Sequence, residues 1–251
     1  VGTITVNPPQ VVSGNALSLQ GVLDLYGSVP SGDPNNIGYS GTDGKAIHLV
    51  AHEDITDLSI YSLSVANNGG GSDGPEYALS GSANAGDDIL VYRVGNGSNS
   101  ASFFSDYFGT CFSEFDITIA TGSSFPDGNG DDPVELFENG VVIDNYGDVD
   151  GAAIIGDPYE DGWTYRLEDG TWLDGGEDCD VEASELYSVE SSGCPYPLCN
   201  FEIIYGCTDT AAFNFNPNAT NDDASCTEIL EGCTDEFAFN YDSLANTFDN
   251  S

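Results

Sequence analysis

Between residues 16 and 168 apolar positions come in short runs, many alternating with polar ones. Leu17 to Tyr26, Ala46 to Ala51, Asp57 to Val65, Ile89 to Val94, Phe115 to Ala120, Val134 to Glu138, Val141 to Tyr146 and Trp163 to Leu167 are rich in β-branched and aromatic residues. Glycine, aspartate and asparagine bound them. That pattern predicts strands. Glycine-rich joints such as Asn67-Asn68-Gly69-Gly70-Gly71 and Asp127-Gly128-Asn129-Gly130 predict turns or loops. No ten-residue window carries a helical period, so the expected class is all-β, a sandwich of several short strands. Val181 to Val189 fits a strand or a short helix. Asn200 to Tyr205 alternates and runs on into the C-terminal region.

At the front, Val1-Gly2-Thr3-Ile4-Thr5-Val6 alternates like a strand and is ended by Pro8 and Pro9. It has no hairpin partner nearby. It is either an edge strand of its own domain (or a frayed terminus), or an assembly element, Thr3, Ile4, Thr5 and Val6 being lent to a neighbouring molecule.

The C-terminal fifth repeats itself. Gly206-Cys207-Thr208-Asp209 returns as Gly232-Cys233-Thr234-Asp235, and ten of twenty positions match between 206–225 and 232–251. Cys226 closes the first copy; the equivalent position in the second falls one residue beyond Ser251, so further modules or a trimmed end are expected. A unit this short cannot bury a core and needs a staple, and a Cys207–Cys226 bridge would supply roughly 3 kcal/mol in the chain-entropy model. Asp209, Asn214, Asn216, Asp222 and Asp223 are hard oxygen donors at short spacing, which calcium prefers; the same residues also build turns.

Charge narrows the function. Forty-three acidic residues against Lys45, Arg93 and Arg166 give a net charge of −40. Such a surface cannot neutralise phosphates, which excludes nucleic acid as a direct partner. Self-repulsion calls for salt or bound cations. Disorder is not expected, because 39% of residues are hydrophobic and 11% aromatic. Seven cysteines point to an oxidising, extracellular or cell-surface location. The chain opens without methionine, as after removal of a signal peptide, and no apolar run is long enough to span a membrane.

Several stretches together suggest a family. Gly21-Val22-Leu23-Asp24-Leu25 is followed by Gly44-Lys45-Ala46-Ile47-His48-Leu49, then Asp57 to Leu63, Tyr77-Ala78-Leu79-Ser80-Gly81 and Ala85-Gly86-Asp87. Later come Asp132-Pro133-Val134-Glu135-Leu136, Val142 to Gly147 and Gly162-Trp163-Thr164-Tyr165-Arg166. In order and spacing these resemble bacterial lamin-tail domains, which implies an immunoglobulin-like β-sandwich, an extracellular setting and no catalytic residues. His48 departs from that pattern, where a carboxylate is usual. The Gly-Cys-Thr-Asp units resemble cysteine-closed repeats of secreted surface proteins from Bacteroidetes-like bacteria.

Candidate chemistry is sparse. His48 and His52 are four apart, but on a strand that separation is about 13 Å, too far for one ion. Asp127, Asn129, Asp131, Glu135 and Glu138 occupy positions 1, 3, 5, 9 and 12 of an EF-type loop, but Asp132 stands where glycine is needed and a strand follows. A loop calcium on Asp127, Asn129 and Asp131 remains a candidate. Carboxylate pairs suited to glycoside hydrolysis arise by chance among so many acids. No nucleophile motif or phosphate-binding loop occurs, so no enzymatic activity and no organic cofactor are expected. Arg93 and Arg166 are expected in structural ion pairs, and Trp163 and Trp172 in a core or domain seam. Cys111, Cys179, Cys194 and Cys199 can pair three ways; Cys111–Cys179 with Cys194–Cys199 is the pairing favoured on the sequence.

The expected organisation is an extended arm (1–15), a sandwich (16–168), a cysteine-containing connector (169–205), one repeat (206–231) and an incomplete second (232–251). The expected function is an extracellular structural or adhesive protein, a surface-layer, stalk or fibre subunit. Its partners would be further copies of itself, other surface proteins or polysaccharide. The alternatives are a non-catalytic appendage of a secreted hydrolase or nuclease, and a carbohydrate-binding module.

Overall fold

The computed structural model describes residues 15–25, 38–40, 42–72, 74–149, 154, 158–175, 181–182, 185–186, 196–199, 205–207, 209–216, 221–222, 225–234 and 237–248. They fall in two units, one within Val6–Asn200 and one within Phe201–Ser251. Strand outweighs helix, 35% against 13%, in keeping with the all-β class.

Ten strands build most of the first unit: β1 (Leu17–Asp24), β2 (Lys45–Ala51), β3 (Tyr61–Val65), β4 (Tyr77–Ala78), β5 (Asp88–Tyr92), β6 (Ile117–Ala120), β7 (Val134–Glu138), β8 (Val141–Tyr146), β9 (Gly162–Arg166) and β10 (Trp172–Asp174). The larger sheet has the order β10-β9-β1-β2-β5-β6 and the smaller β4-β3-β7-β8. All neighbours are antiparallel except β5 and β6. The two sheets share one core. Leu17, Leu19, Val22, Ile47, Leu49, Ile89 and Val91 from the larger meet Tyr61, Leu63, Val65, Val134, Leu136 and Tyr146 from the smaller. The turn between β7 and β8 is Asn139-Gly140, both at positive φ (50° and 78°), the pair that matches strand twist in a tight hairpin.

The larger sheet is buried on its other face too. Ala46, Ile47, His48, Leu49 and Val50 are all buried in succession, which one solvated face would forbid. The cover is a short helix, α1 (Phe103–Phe108), a 3-10 segment (Gly109–Glu114) and the turn at Pro197–Cys199. Phe103, Phe104, Tyr107, Phe108, Phe115 and Tyr196 are buried and form a chain of ring contacts, edge-on except for the stacked pair Phe104–Phe108. Cys111 and Cys199 are joined by a disulfide that ties two pieces of this layer together. This corrects the expected pairing of Cys111 with Cys179; Cys111 lies in the aromatic cover, beside the turn that carries Cys199. Cys179 and Cys194 lie outside the described residues. The expected strand from Phe115 begins at Ile117, after that cover. β10 follows the expected boundary at 168, and Tyr196 and Cys199 pack in the first unit. Two further strands, β11 (Val181–Glu182) and β12 (Glu185–Leu186), pair as a hairpin where a strand or helix was expected.

The second unit repeats in structure as in sequence. β13 (Tyr205–Gly206) pairs in parallel with β14 (Asn221–Asp222), and β15 (Glu231–Gly232) with β16 (Thr247–Phe248). Bridges Cys207 to Phe215 and Cys233 to Tyr241 lie at the same offset. So do two hydrogen bonds, Asn216 N to Cys207 O and Asp242 N to Cys233 O, both 2.9 Å. The Cys207–Cys226 disulfide is formed, and Cys233 is a buried free thiol.

Candidate functional site

A buried polar group on the larger sheet is His48, on β2 facing the aromatic cover. Its Nδ1 lies 2.9 Å from Tyr196 Oη and its Nε2 2.8 Å from Asp88 Oδ1. Burial pushes the Tyr196 hydroxyl well above its ordinary value, with Tyr165, Asp88 and Tyr107 adding to the shift. Tyr196 therefore stays protonated, and in a neutral imidazole the tautomer whose Nε2–H donates to the Asp88 carboxylate leaves Nδ1 to accept from Tyr196. An acid–imidazole–hydroxyl chain has the connectivity of an activated nucleophile. Here the hydroxyl end is sealed: Tyr196 is 1% exposed and ringed by His48, Phe108, Trp163 and Tyr165. The chain holds the cover onto the sheet.

Local sequence makes room for it. β1 carries a bulge between Leu19 and Gly21. The bulge turns Gly21 toward the cover, while Leu19 and Val22 both face the core. The Gln20 side chain donates to Arg166 O at 2.7 Å.

His52 belongs to a separate place. Its Nε2 meets Ser18 Oγ at 2.8 Å, and burial, then Arg166, lower its pKa. The two histidines share no ligand. Arg166 forms the expected ion pair, a two-pronged bond to Asp144 (2.7 and 2.8 Å). Asp144 also accepts from Leu19 N at 2.9 Å. A β8 carboxylate thus clamps the smaller sheet to β1 and β9 of the larger. The guanidinium lies over Trp172, which packs against the core, and Trp163 is buried under Tyr196. Arg93 differs from expectation: among the described residues no carboxylate pairs with it, and its Nη1 donates to Pro126 O at 3.4 Å.

The EF-like loop is organised by the residue that breaks the EF pattern. Asp132 accepts from Asn68 N (2.5 Å) and Asn129 N (2.9 Å), and its carbonyl accepts from Tyr159 Oη. Lys45 Nζ donates to Gly128 O (2.5 Å) and to Asp24 Oδ1 (2.7 Å), so an ammonium already sits against this loop. Asp127 faces Asn67, Asn129 is exposed, and Asp131 O accepts from Ile154 N. Glu135 and Glu138 stand on β7 opposite Ser64 and Tyr61. Among the described residues, no three His, Cys, Asp or Glu side chains converge as a metal site.

In the first repeat the Asn214 side chain holds backbone. Asn214 Nδ2 donates to Ser225 O and its Oδ1 accepts from Thr227 N, both at 2.8 Å. Asp209 accepts from Ala211 N within its own turn, and Asn216 bonds through its backbone. Asp222 lies in β14; Asp223 lies outside the described residues, as do Thr3, Ile4, Thr5 and Val6. From the second copy, Asn246 clips Glu228 O and Leu230 N. The 225–230 segment is therefore gripped by one amide from each module.

Sequence reasoning missed Tyr196, Gly21 and Asp132. Of these only Gly21, an isolated glycine inside an apolar strand, carries a local signal of close backbone approach. No helix among the described residues is long and apolar enough to cross a membrane. No protein-family model, curated protein or solved structure matches the chain.

Proposed function

We propose that this chain is an extracellular structural protein, a subunit of a surface layer, stalk or fibre. Its first unit would be an immunoglobulin-like sandwich of the lamin-tail kind, followed by cysteine-closed modules. The observation that carries this reading is the use made of the polar side chains. His48, Asp88, Asp132, Asp144, Arg166, Asn214 and Asn246 each hold one piece of backbone or one layer to another. Disulfides in both units suit an oxidising compartment. Exposed Phe213 and Phe239, at equivalent positions of the two modules, offer apolar surface to neighbours.

Strand exchange is the proposed mode of assembly, with residues 3–6 as the donated strand. Light scattering across a dilution series at physiological salt tests the reading. A mass that rises with concentration is expected; monomer mass throughout contradicts it.

A further inference from the structure

If one copy lends a strand, another must offer an edge, and the structure distinguishes the four edges. The outer edge of β8 is partly taken, because Asn15 Nδ2 donates to Ile143 O at 2.8 Å. β4 has two residues and comes directly after Glu76. β10 has three residues, ends in Asp174 and lies close after Asp169. β6 also follows an acid directly, Asp116, but it has four residues and none of them is charged. Among the described residues it pairs only with β5, and no other hydrogen bond reaches Ile117–Ala120. Ile117 and Ile119 pack against the core but are only half-buried, while Thr118 and Ala120 are exposed. An added strand would finish burying both isoleucines.

Charge selects the occupant. In a chain of net charge −40 most surfaces repel another copy, but residues 1–23 contain no charged residue or histidine, and neither do residues 117–126. The patterns also match. Ile4 and Val6 alternate with Thr3 and Thr5, as Ile117 and Ile119 alternate with Thr118 and Ala120. A strand laid beside β6 in that phase puts apolar side chains inward and threonines outward. Pro8-Pro9 favours an extended backbone directly after the arm, which opposes the arm folding back across its own sheet.

We infer that the outer edge of β6 (Ile117–Ala120) is the acceptor for residues 3–6 of a second copy. The inference rests on the assembly reading above and adds to it the place where the strand docks.

Complementation tests it, with the full chain in a Cys233→Ser background so that thiol-linked dimers do not contribute. Deleting residues 1–7 leaves an acceptor without a donor. Thr118→Pro leaves a donor without an acceptor, since proline spoils an edge for further pairing. Should that variant melt early, Ala120→Lys, a charge on the same edge, replaces it. Each variant alone is expected to be monomeric by native mass spectrometry, and their mixture to give a one-to-one heterodimer that grows no further. A mixture that stays monomeric, or an edge variant that assembles like the parent, overturns β6 as the acceptor even where the parent assembles. A parent chain that never assembles overturns the assembly reading, and this inference with it.

Discussion

A Cβ on Gly21 would lie 1.9 Å from Tyr196 Oη, and 3.0 Å from Thr164 O. The phenol that anchors His48 therefore occupies the space a side chain on β1 would fill. Gly21→Ala should force Tyr196 off His48, combining overpacking with the loss of a buried hydrogen bond, and cost about 3 kcal/mol. Denaturant unfolding of Gly21→Ala, Tyr196→Phe and the double variant checks the mechanism. The double should lose clearly less than the sum of the singles, because Phe removes the clashing oxygen.

The Cys111–Cys199 bridge spans 88 residues. In the chain-entropy model a loop of that length contributes about 4.6 kcal/mol. Cys199→Ser should lower the melting temperature markedly and loosen the aromatic cover before the inter-sheet core. Hydrogen exchange would show faster amides in α1 while β3 and β7 stay protected.

Burial pushes the Asp24 carboxyl from its ordinary 3.8 up to about 6, against the pull of Lys45. Between those values the folded chain holds a proton that the unfolded chain has lost. The stability Asp24 contributes is therefore complete below about pH 4 and falls away as pH rises through about 6. Asn mimics the protonated form. Measured against Asp24→Asn, the parent should lose up to about 3 kcal/mol between those pH values. Relief of general self-repulsion in acid is common to both proteins and cancels.

Asn214→Ala removes two exposed backbone clips, worth about 1 kcal/mol each at most. Exchange at the Thr227 amide should speed up, with no change in the sandwich. An equal effect on both units would contradict a local role.

Hairpin β7–β8 was legible to the residue, because its strands alternate and Asn139-Gly140 dictates the turn. α1 was not. Six residues are too few to show a helical period, and their Phe and Tyr suit a strand equally well. The bulge at Gln20 and the Asp132 cradle depend on partners far along the chain, Arg166 and Asn68. The pairing of Cys111 with Cys199 was likewise invisible, since spacing allows every pairing. Tyr196 lies 148 residues from the histidine it anchors, and nothing beside either residue announces the other. The repeat itself was legible, because the Gly-Cys-Thr-Asp run returns after 26 residues; the short parallel strand pairs that recur with it were not expected.

Electron microscopy of the full chain at physiological salt, beside the chain lacking residues 1–7, bears most directly on whether this protein builds an extracellular structure. Ordered filaments or sheets from the first and dispersed particles from the second are expected. Dispersed particles from both, at every concentration, would contradict a structural role by strand exchange.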